Sequence, residues 1–227
     1  MTDKPQKPRM IVFGDIHGST YWKEIMNENP GCRYIFLGDY LDPYQKIPIK
    51  ELIDNLKAII QLKKENPGNV ILLLGNHDLH YVNLNEYPCT RFDEALKEEA
   101  HALFTENARL FTNAFQVGDC IFTHAGISEK WFLEDFKGDV SKNIADQLNN
   151  PLPDQLPALY RCGFMRGGDK NTIGGIFWAD IDELNDPLPG FTQIVGHNRV
   201  EEVCFYENNN GRIAFWDCLW NKHYLEI

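Results

Sequence analysis

Five times along this chain an apolar run the length of a β-strand stops at a short turn carrying Asp, Asn or His. That punctuation constrains the fold more than any other feature. Runs at 10–13, 34–37 and 70–74 end at Gly14-Asp15-Ile16-His17-Gly18, Gly38-Asp39-Tyr40-Leu41-Asp42 and Gly75-Asn76-His77-Asp78. Two later runs end at Thr123-His124-Ala125-Gly126 and Gly196-His197-Asn198. Runs this short, rich in β-branched residues, are buried strands rather than helices. Between the second and third, Ile49–Glu65 carries Ile49, Leu52, Ile53, Leu56, Ile59 and Ile60 at helical spacing, bracketed by Pro48 and Pro67. Ser19 is the expected N-cap of an earlier helix with Trp22 on its first turn. Strands alternating with helices specify an α/β protein.

Further along, the pattern predicts a helix over 92–109 and a hairpin, Ala114–Val117 and Cys120–Thr123, with Gly118-Asp119 as its turn. Helices are expected over 128–136 and 142–149, and a long irregular segment rich in Pro and Gly over 150–175. Late strands are expected at 192–195, 200–206 and 212–218, with a turn at 208–211. The polar residues 1–9, with Pro5 and Pro8, read as a disordered lead-in, and 10–227 as one domain.

Composition narrows the class. A 43% hydrophobic content supports a proper core, and no apolar run approaches the roughly 20 residues that span a bilayer. Cys32, Cys89, Cys120, Cys162, Cys204 and Cys218 are scattered without a C-x-x-C pair, which predicts free thiols in a reducing, cytoplasmic setting. A net charge of −11 argues against a nucleic-acid surface. It does not exclude a phosphate substrate, because two bound divalent cations would bring about +4 against about −2 from Asp15 and Asp39.

The motifs supply such cation ligands. Asp15, His17, Asp39, Asn76, His124 and His197 together make a carboxylate, imidazole and amide set suited to two adjacent metals, and Asp39 is the expected bridge between ions about 3.5–4 Å apart. His77 is more useful unligated, as the general acid at the leaving-group oxygen, since an imidazole titrates near working pH. Asp42 is expected to orient that ring and Asp78 to support the loop. His80 reads as a helix-cap or supporting residue, His101 as helix surface and His223 as tail.

In this order the motifs resemble the calcineurin-like metallophosphoesterase superfamily, and within it the phosphoprotein phosphatase type. The resemblance runs from Asp15 to His197 and includes Trp178-Ala179-Asp180, similar to a Trp-Ser-Asp segment of those phosphatases. Gly75-Asn76-His77-Asp78-Leu79-His80 and His124-Ala125-Gly126-Ile127 look most like the bacterial branch of symmetrical diadenosine tetraphosphatases and small Ser/Thr phosphatases. The resemblance implies two facing mixed β-sheets flanked by helices, and manganese, iron or zinc as the metals. One departure matters. The family places Arg-Gly after the second Asp of the second motif, whereas here Asp42 is followed by Pro43-Tyr44. Phosphate contacts are then expected from Arg166, Arg161 or Arg199, with Asn76 beside them.

The resulting expectation is a two-metal phosphoesterase that hydrolyses phosphomonoesters by a metal-activated hydroxide, with phosphorylated Ser/Thr proteins as the leading substrate. Dinucleoside polyphosphate or other nucleotide hydrolysis comes next, and a nucleic-acid phosphodiesterase is disfavoured by the acidity. A non-catalytic scaffold on this fold would be expected to have lost ligands that this chain keeps.

Overall fold

The computed structural model describes residues 9–84 and 89–227. Apart from Arg9, whose carbonyl accepts from Arg33 N, the expected lead-in lies outside the described residues. In chain order the elements are β1 Met10–Phe13, α1 Tyr21–Glu28, β2 Arg33–Phe36, α2 Ile49–Glu65, β3 Val70–Leu73, α3 Asn76–Val82 and α4 Lys97–Glu106. Next come β4 Phe111–Thr112, β5 Ala114–Val117, β6 Cys120–Thr123, a π-helical turn Trp131–Asp135, α5 Ile144–Asn149 and α6 Leu156–Leu159. The last strands are β7 Thr192–Arg199, β8 Cys204–Glu207, β9 Arg212–Asp217 and β10 Leu225–Glu226.

The strands form two five-stranded mixed sheets, ordered β10-β1-β2-β3-β4 and β5-β6-β7-β9-β8. In the first, β1 to β4 run parallel and β10 closes the edge antiparallel to β1. Alternation along each strand explains why the runs are apolar throughout. Val12, Ile35 and Leu73 point between the sheets to meet Phe122, Ile194, Ala214 and Trp216 of the second. Their neighbours Ile11, Phe13, Phe36 and Leu72 face the opposite way, onto Trp22 and Ile25 of α1 and Leu52, Ile53, Leu56 and Ile59 of α2. A strand covered on both faces has no polar side to show. The outer face of the second sheet is covered in the same manner, with Ile121 beneath Trp131, Phe132, Ile144 and Leu148. This is the helix-flanked pair of facing sheets that the resemblance implied.

Several boundaries differ from those read in the sequence. Helix α1 is capped by Thr20 rather than Ser19, whose Oγ accepts from Tyr21 N at 3.3 Å and so closes a turn ahead of the helix. The helix expected over 92–109 begins at Lys97, because Phe92 stacks on His80 at 3.9 Å and Asp93 turns the chain by accepting from Ala95 N. The segment expected to be helical over 128–136 is a π turn at its centre. Residues 150–175 contain α6 and a 3₁₀ turn, Phe164–Arg166. The strand expected over 200–206 is displaced to β8, and β7 extends four residues past its expected end to Arg199. The pairing of β7 with β9 breaks register between Val195 and Arg199, and the fifth motif sits on that bulge instead of after a strand.

The topology brings the carboxyl ends of β1, β2, β3 and β6, and the bulge of β7, to one edge of the two-sheet sandwich. Open α/β sheets place their sites at such an edge.

Candidate metal centre

Each motif turn has a local reason for its shape. Five of the eight non-glycine residues with positive φ among the described residues lie here: His17, Asp39, Asp42, Arg91 and His197, with φ from 41° to 62°. Left-handed backbone at bulky residues is unfavourable and persists where surrounding contacts hold it. Those contacts are visible. The Asp78 carboxylate accepts from Gly75 N (2.8 Å), Asp39 N (2.8 Å) and Tyr40 N (2.9 Å), joining the second and third turns. Asp39 Oδ1 accepts from His77 N and Asp15 Oδ1 from His197 N, each at 2.9 Å; the second of these bonds joins the two sheets. Such approaches need bare backbone, since a Cβ on Gly75 would come within 2.1 Å of Asp39 Oδ1 and one on Gly196 within 2.3 Å of Asp15 Oδ1.

The functional ends of these side chains converge on a group of acceptors with no hydrogen to share. One ligand atom each of Asp15, His17 and Asp39 lies within 4.8 Å of the others. His17 Nδ1–H donates to Leu41 O at 2.7 Å, which leaves Nε2 as a lone pair 3.7 Å from Asp39 Oδ2 and 3.9 Å from Asp15 Oδ2. His124 repeats the device. Its Nδ1–H donates to Leu37 O at 2.8 Å, so Nε2 turns a lone pair toward Asn76 Oδ1 at 2.9 Å and Asp39 Oδ2 at 3.6 Å. The Asn76 amide nitrogen is occupied by Cys89 Sγ, which fixes the oxygen toward the imidazoles. His197 Nδ1 reaches the same amide oxygen at 2.9 Å, and its buried Nε2 has no hydrogen-bond partner among the described residues.

Electrostatics points the same way. Burial holds His17 and His124 down to about 3, and His197 well below its ordinary value, so all three rings are neutral, the form in which an imidazole can bind a metal. Burial, then neighbouring carboxylates, raises Asp15 and Asp39 well above the usual carboxylate range. Clustered carboxylates and lone pairs repel one another until a cation sits among them. The donor set of oxygens and imidazole nitrogens fits first-row transition ions, so these residues fit a metal centre.

Beside the acceptors, His77 Nδ1 lies 2.7 Å from Asp42 Oδ2, and Tyr81 Oη donates to Asp42 Oδ1 at 2.6 Å. Burial raises Asp42 to about 7 and lowers His77 to about 3. A cavity of about 270 Å³ is lined by Asp15, His17, Asp39, Asn76, His77 and His197, and at its mouth by Arg91, Arg166 and Trp178. The expected arginines separate here. Arg166 lines the cavity, held by Asp180 at 2.7 Å and Asn198 Oδ1 at 2.6 Å. Arg161 does not: it is tied to Asp135 and to Ile173 O on the outer side. Arg199 borders a neighbouring cleft, stacked between Tyr44 and Trp220. His80 accepts from Cys89 N, and His101, expected on the helix surface, is half-buried with Nδ1 on Tyr81 O. Arg91 was missed in the sequence, where Cys89-Thr90-Arg91-Phe92 carries no motif; an arginine following shortly after the third motif was the one available signal.

Two sheets meeting at a metal-ready edge define a metallophosphoesterase fold. The chain belongs to the calcineurin-like phosphoesterase family, which it matches over residues 8–211, and it is accordingly a phosphoester hydrolase. Its structure is similar to that of a cold-active protein-tyrosine phosphatase from the psychrophile Shewanella sp., with TM-score 0.58 and 16% identity over 96% of this chain and 75% of that one. Another structure of a cold-active protein tyrosine phosphatase gives TM-score 0.59 and 16% identity over 96% of this chain and 73% of its own. A protein serine/threonine phosphatase from Saccharomyces cerevisiae aligns with TM-score 0.44 and 16% identity over 91% of this chain and 54% of its own. For the two cold-active phosphatases, at 16% identity, the likeness is one of fold. No described helix is long and apolar enough to cross a membrane.

Proposed function

We propose that this protein is a two-metal phosphomonoesterase acting on phosphorylated Ser or Thr side chains of proteins. The observation that carries the reading is the set of acceptors on Asp15, His17, Asp39 and Asn76, which share one cavity with His77 and Arg166 and are backed by His124 Nε2 on Asn76 Oδ1. Asp15, His17 and Asp39 would hold one ion, and Asp39, Asn76, His124 and His197 the other; the identity of the metal, manganese, iron or zinc, is open to exchange. When bound, such ions supply Lewis acidity toward phosphoryl oxygens and acidify water from about 15.7 towards about 7.

The chain's own groups do the rest. Arg166, oriented by Asp180 and Asn198, binds equatorial phosphoryl oxygens, where charge accumulates in an in-line displacement. Asn76 lines the same wall. His77 Nε2, which accepts from Arg91 before substrate arrives, protonates the departing alkoxide once the phosphoryl dianion draws the Arg91 N–H away and a proton from water takes its place, while Asp42 accepts from Nδ1–H and stabilises the imidazolium so formed. Tyr81 holds the other oxygen of Asp42 and fixes the pair in one orientation.

A polypeptide substrate is supported by the mouth of the cavity. Tyr44 lines the cavity and is about half exposed, as are Phe164 and Met165, which precede Arg166 in the chain. Exposed apolar side chains beside a polar floor suit the residues that flank a phosphorylated side chain. None of the six cysteines forms a disulfide, which supports a cytoplasmic setting. One observation favours a second reading, nucleotide or dinucleoside polyphosphate hydrolysis. A cleft of about 240 Å³, lined by Ile47, Tyr44 and Trp220, shares Asp15 and His17 with the metal cavity and could take a base.

One panel tests both. Protein reconstituted with manganese, iron or zinc is assayed on a phosphoserine peptide, diadenosine tetraphosphate, a nucleoside triphosphate and a phosphodiester. The highest kcat/KM is expected on the peptide. Preference for the dinucleotide would replace the first reading with the second, and no turnover with any metal would overturn both.

A further inference from the structure

We infer that Arg91 is a substrate-binding residue of this hydrolase, the cation that receives the phosphoryl group at the His77 side of the cavity. The assignment rests on the phosphomonoesterase reading above.

Arg91 brings the cavity a second cation beside Arg166. Arg166 is paired with Asp180, and Arg161 is committed to Asp135 outside the cavity. Among the described residues, no carboxylate forms an ion pair with Arg91. Its contacts instead fix its position while sparing its charge. Arg91 Nε–H donates to the main-chain oxygen of Asp42 at 3.0 Å, and an Nη–H donates to His77 Nε2 at 3.3 Å. The face of the guanidinium lies 3.9 Å from the centre of the Tyr44 ring. Five N–H bonds are available to a guanidinium, and these contacts use two. The remaining three include N–H groups on both Nη atoms, a fork that can match two phosphoryl oxygens.

Position adds to the argument. His77 Nε2 is the atom proposed to meet the leaving oxygen, so a group hydrogen-bonded to it stands beside the scissile linkage. Arg91 also lines the same cavity as Asp15, Asp39 and Asn76. Arg91 itself adopts φ 62°, so the backbone is held in an unfavourable conformation that aims this side chain inward. Tyr44 completes the arrangement. Its ring is bracketed by Arg91 on one side and Arg199, at 4.5 Å, on the other. In this chain Pro43-Tyr44 stands where an arginine would have followed Asp42, and the aromatic ring there positions an arginine arriving from a different loop. The cation has therefore moved along the sequence by 48 positions, from 43 to 91, yet stays anchored to the carbonyl of Asp42.

The test compares manganese-loaded wild type, R91A, R91K and R166A. Metal content is read by elemental analysis, inorganic phosphate binding by calorimetry, and turnover with a chromogenic phosphomonoester. Loss of a charge-assisted contact to phosphate is expected to weaken phosphate binding and kcat/KM in R91A by about 10- to 100-fold, with metal content unchanged. R91K should recover part of the loss, and added guanidinium ion should restore activity to R91A without affecting wild type. Wild type that binds phosphate and turns over, paired with R91A of equal phosphate affinity, would overturn the role of Arg91 and leave the hydrolase reading standing. Wild type that neither binds phosphate nor turns over would overturn both.

Discussion

His77 and Asp42 form the pair on which the proposed chemistry turns, and they can be tested without disturbing the metals. His77→Asn keeps a polar side chain of similar reach but has no proton to give. Metal content should match wild type while kcat falls about 10²- to 10⁴-fold, the usual range for a general acid; unchanged kcat would remove His77 from that role. Asp39→Asn should act differently. The amide can still accept from His77 N, so the turn is kept, but the negative charge shared between the ions is lost, and elemental analysis should show at least one metal missing. At this scale the sequence was informative about which acidic, amide and imidazole side chains converge and poor about cations. Asp15, His17, Asp39, Asn76, His124 and His197 announce themselves because glycine-flanked turns after strands restrict what they can do. Arginines carry no such context. Arg161 looked as suitable as Arg166 because the two lie five residues apart, and only the tertiary partner, Asp135 against Asp180 and Asn198, separates them. Arg91 depends on Tyr44 and Asp42, which are distant in sequence, so no local pattern could disclose it.

At the scale of elements, the bulge in β7 and the start of α3 do most to shape the centre, and neither was legible in advance. The apolar run ends at Val195, so a strand appeared to stop there; β7 continues because its pairing resumes at Arg199–Asp217 after the register shift. The residue that makes the shift, His197, adopts φ 61°, a conformation for which histidine has little intrinsic preference. Asn76-His77-Asp78 likewise has the composition of a turn, yet begins a helix, because the Asp78 carboxylate ties three backbone N–H groups ahead of and across from it. By contrast β1 to β3 and α2 were evident, since apolar periodicity and proline brackets are local properties. The bulge yields a prediction of its own. A methyl group at Gly196 would meet Asp15 Oδ1 at 2.3 Å, so Gly196→Ala must move either the carboxylate or the strand. Thermal unfolding should show a loss of about 1–3 kcal/mol from overpacking, and manganese titration a weaker affinity. An unchanged melting curve together with unchanged affinity would show that the bulge is not pinned by Asp15.

Over the whole molecule, the proposed centre draws Asp15, Asp39 and Asn76 from the first sheet and His124 and His197 from the second, so metal binding there would be coupled to the pairing of the sheets. Ions that bind only the folded chain add stability by mass action, about 4 kcal/mol at a thousandfold excess over Kd. A chelator should therefore lower the melting temperature, and pH should modulate the metal-free state in a definite sense. Asp42 and Asp78 are raised by burial to about 7 and Asp217 to about 6, with Asp15 and Asp39 also raised well above the usual carboxylate range, so the folded chain holds protons that the unfolded chain has released until pH rises through about 7. Each such carboxyl loses its stabilising contribution across that range. The buried histidines, depressed to about 3, oppose this only below their ordinary value near 6.5, where the unfolded chain would take up protons. Between pH 6.5 and 8 the carboxylates act alone: melting temperature in chelator should fall with pH, and saturating manganese should abolish the fall while releasing protons measurable by calorimetry in two buffers. A rise over that interval would contradict the assignment. The left-handed turns at His17, Asp39, Asp42 and His197 carry one more consequence. Each holds a polar side chain on backbone that would rest more easily as glycine, within a patch of buried charge, so the fold sacrifices durability for reactivity at this edge. Crippling the centre should then toughen the empty protein, and metal-free Asp39→Asn is expected to melt above the metal-free wild type.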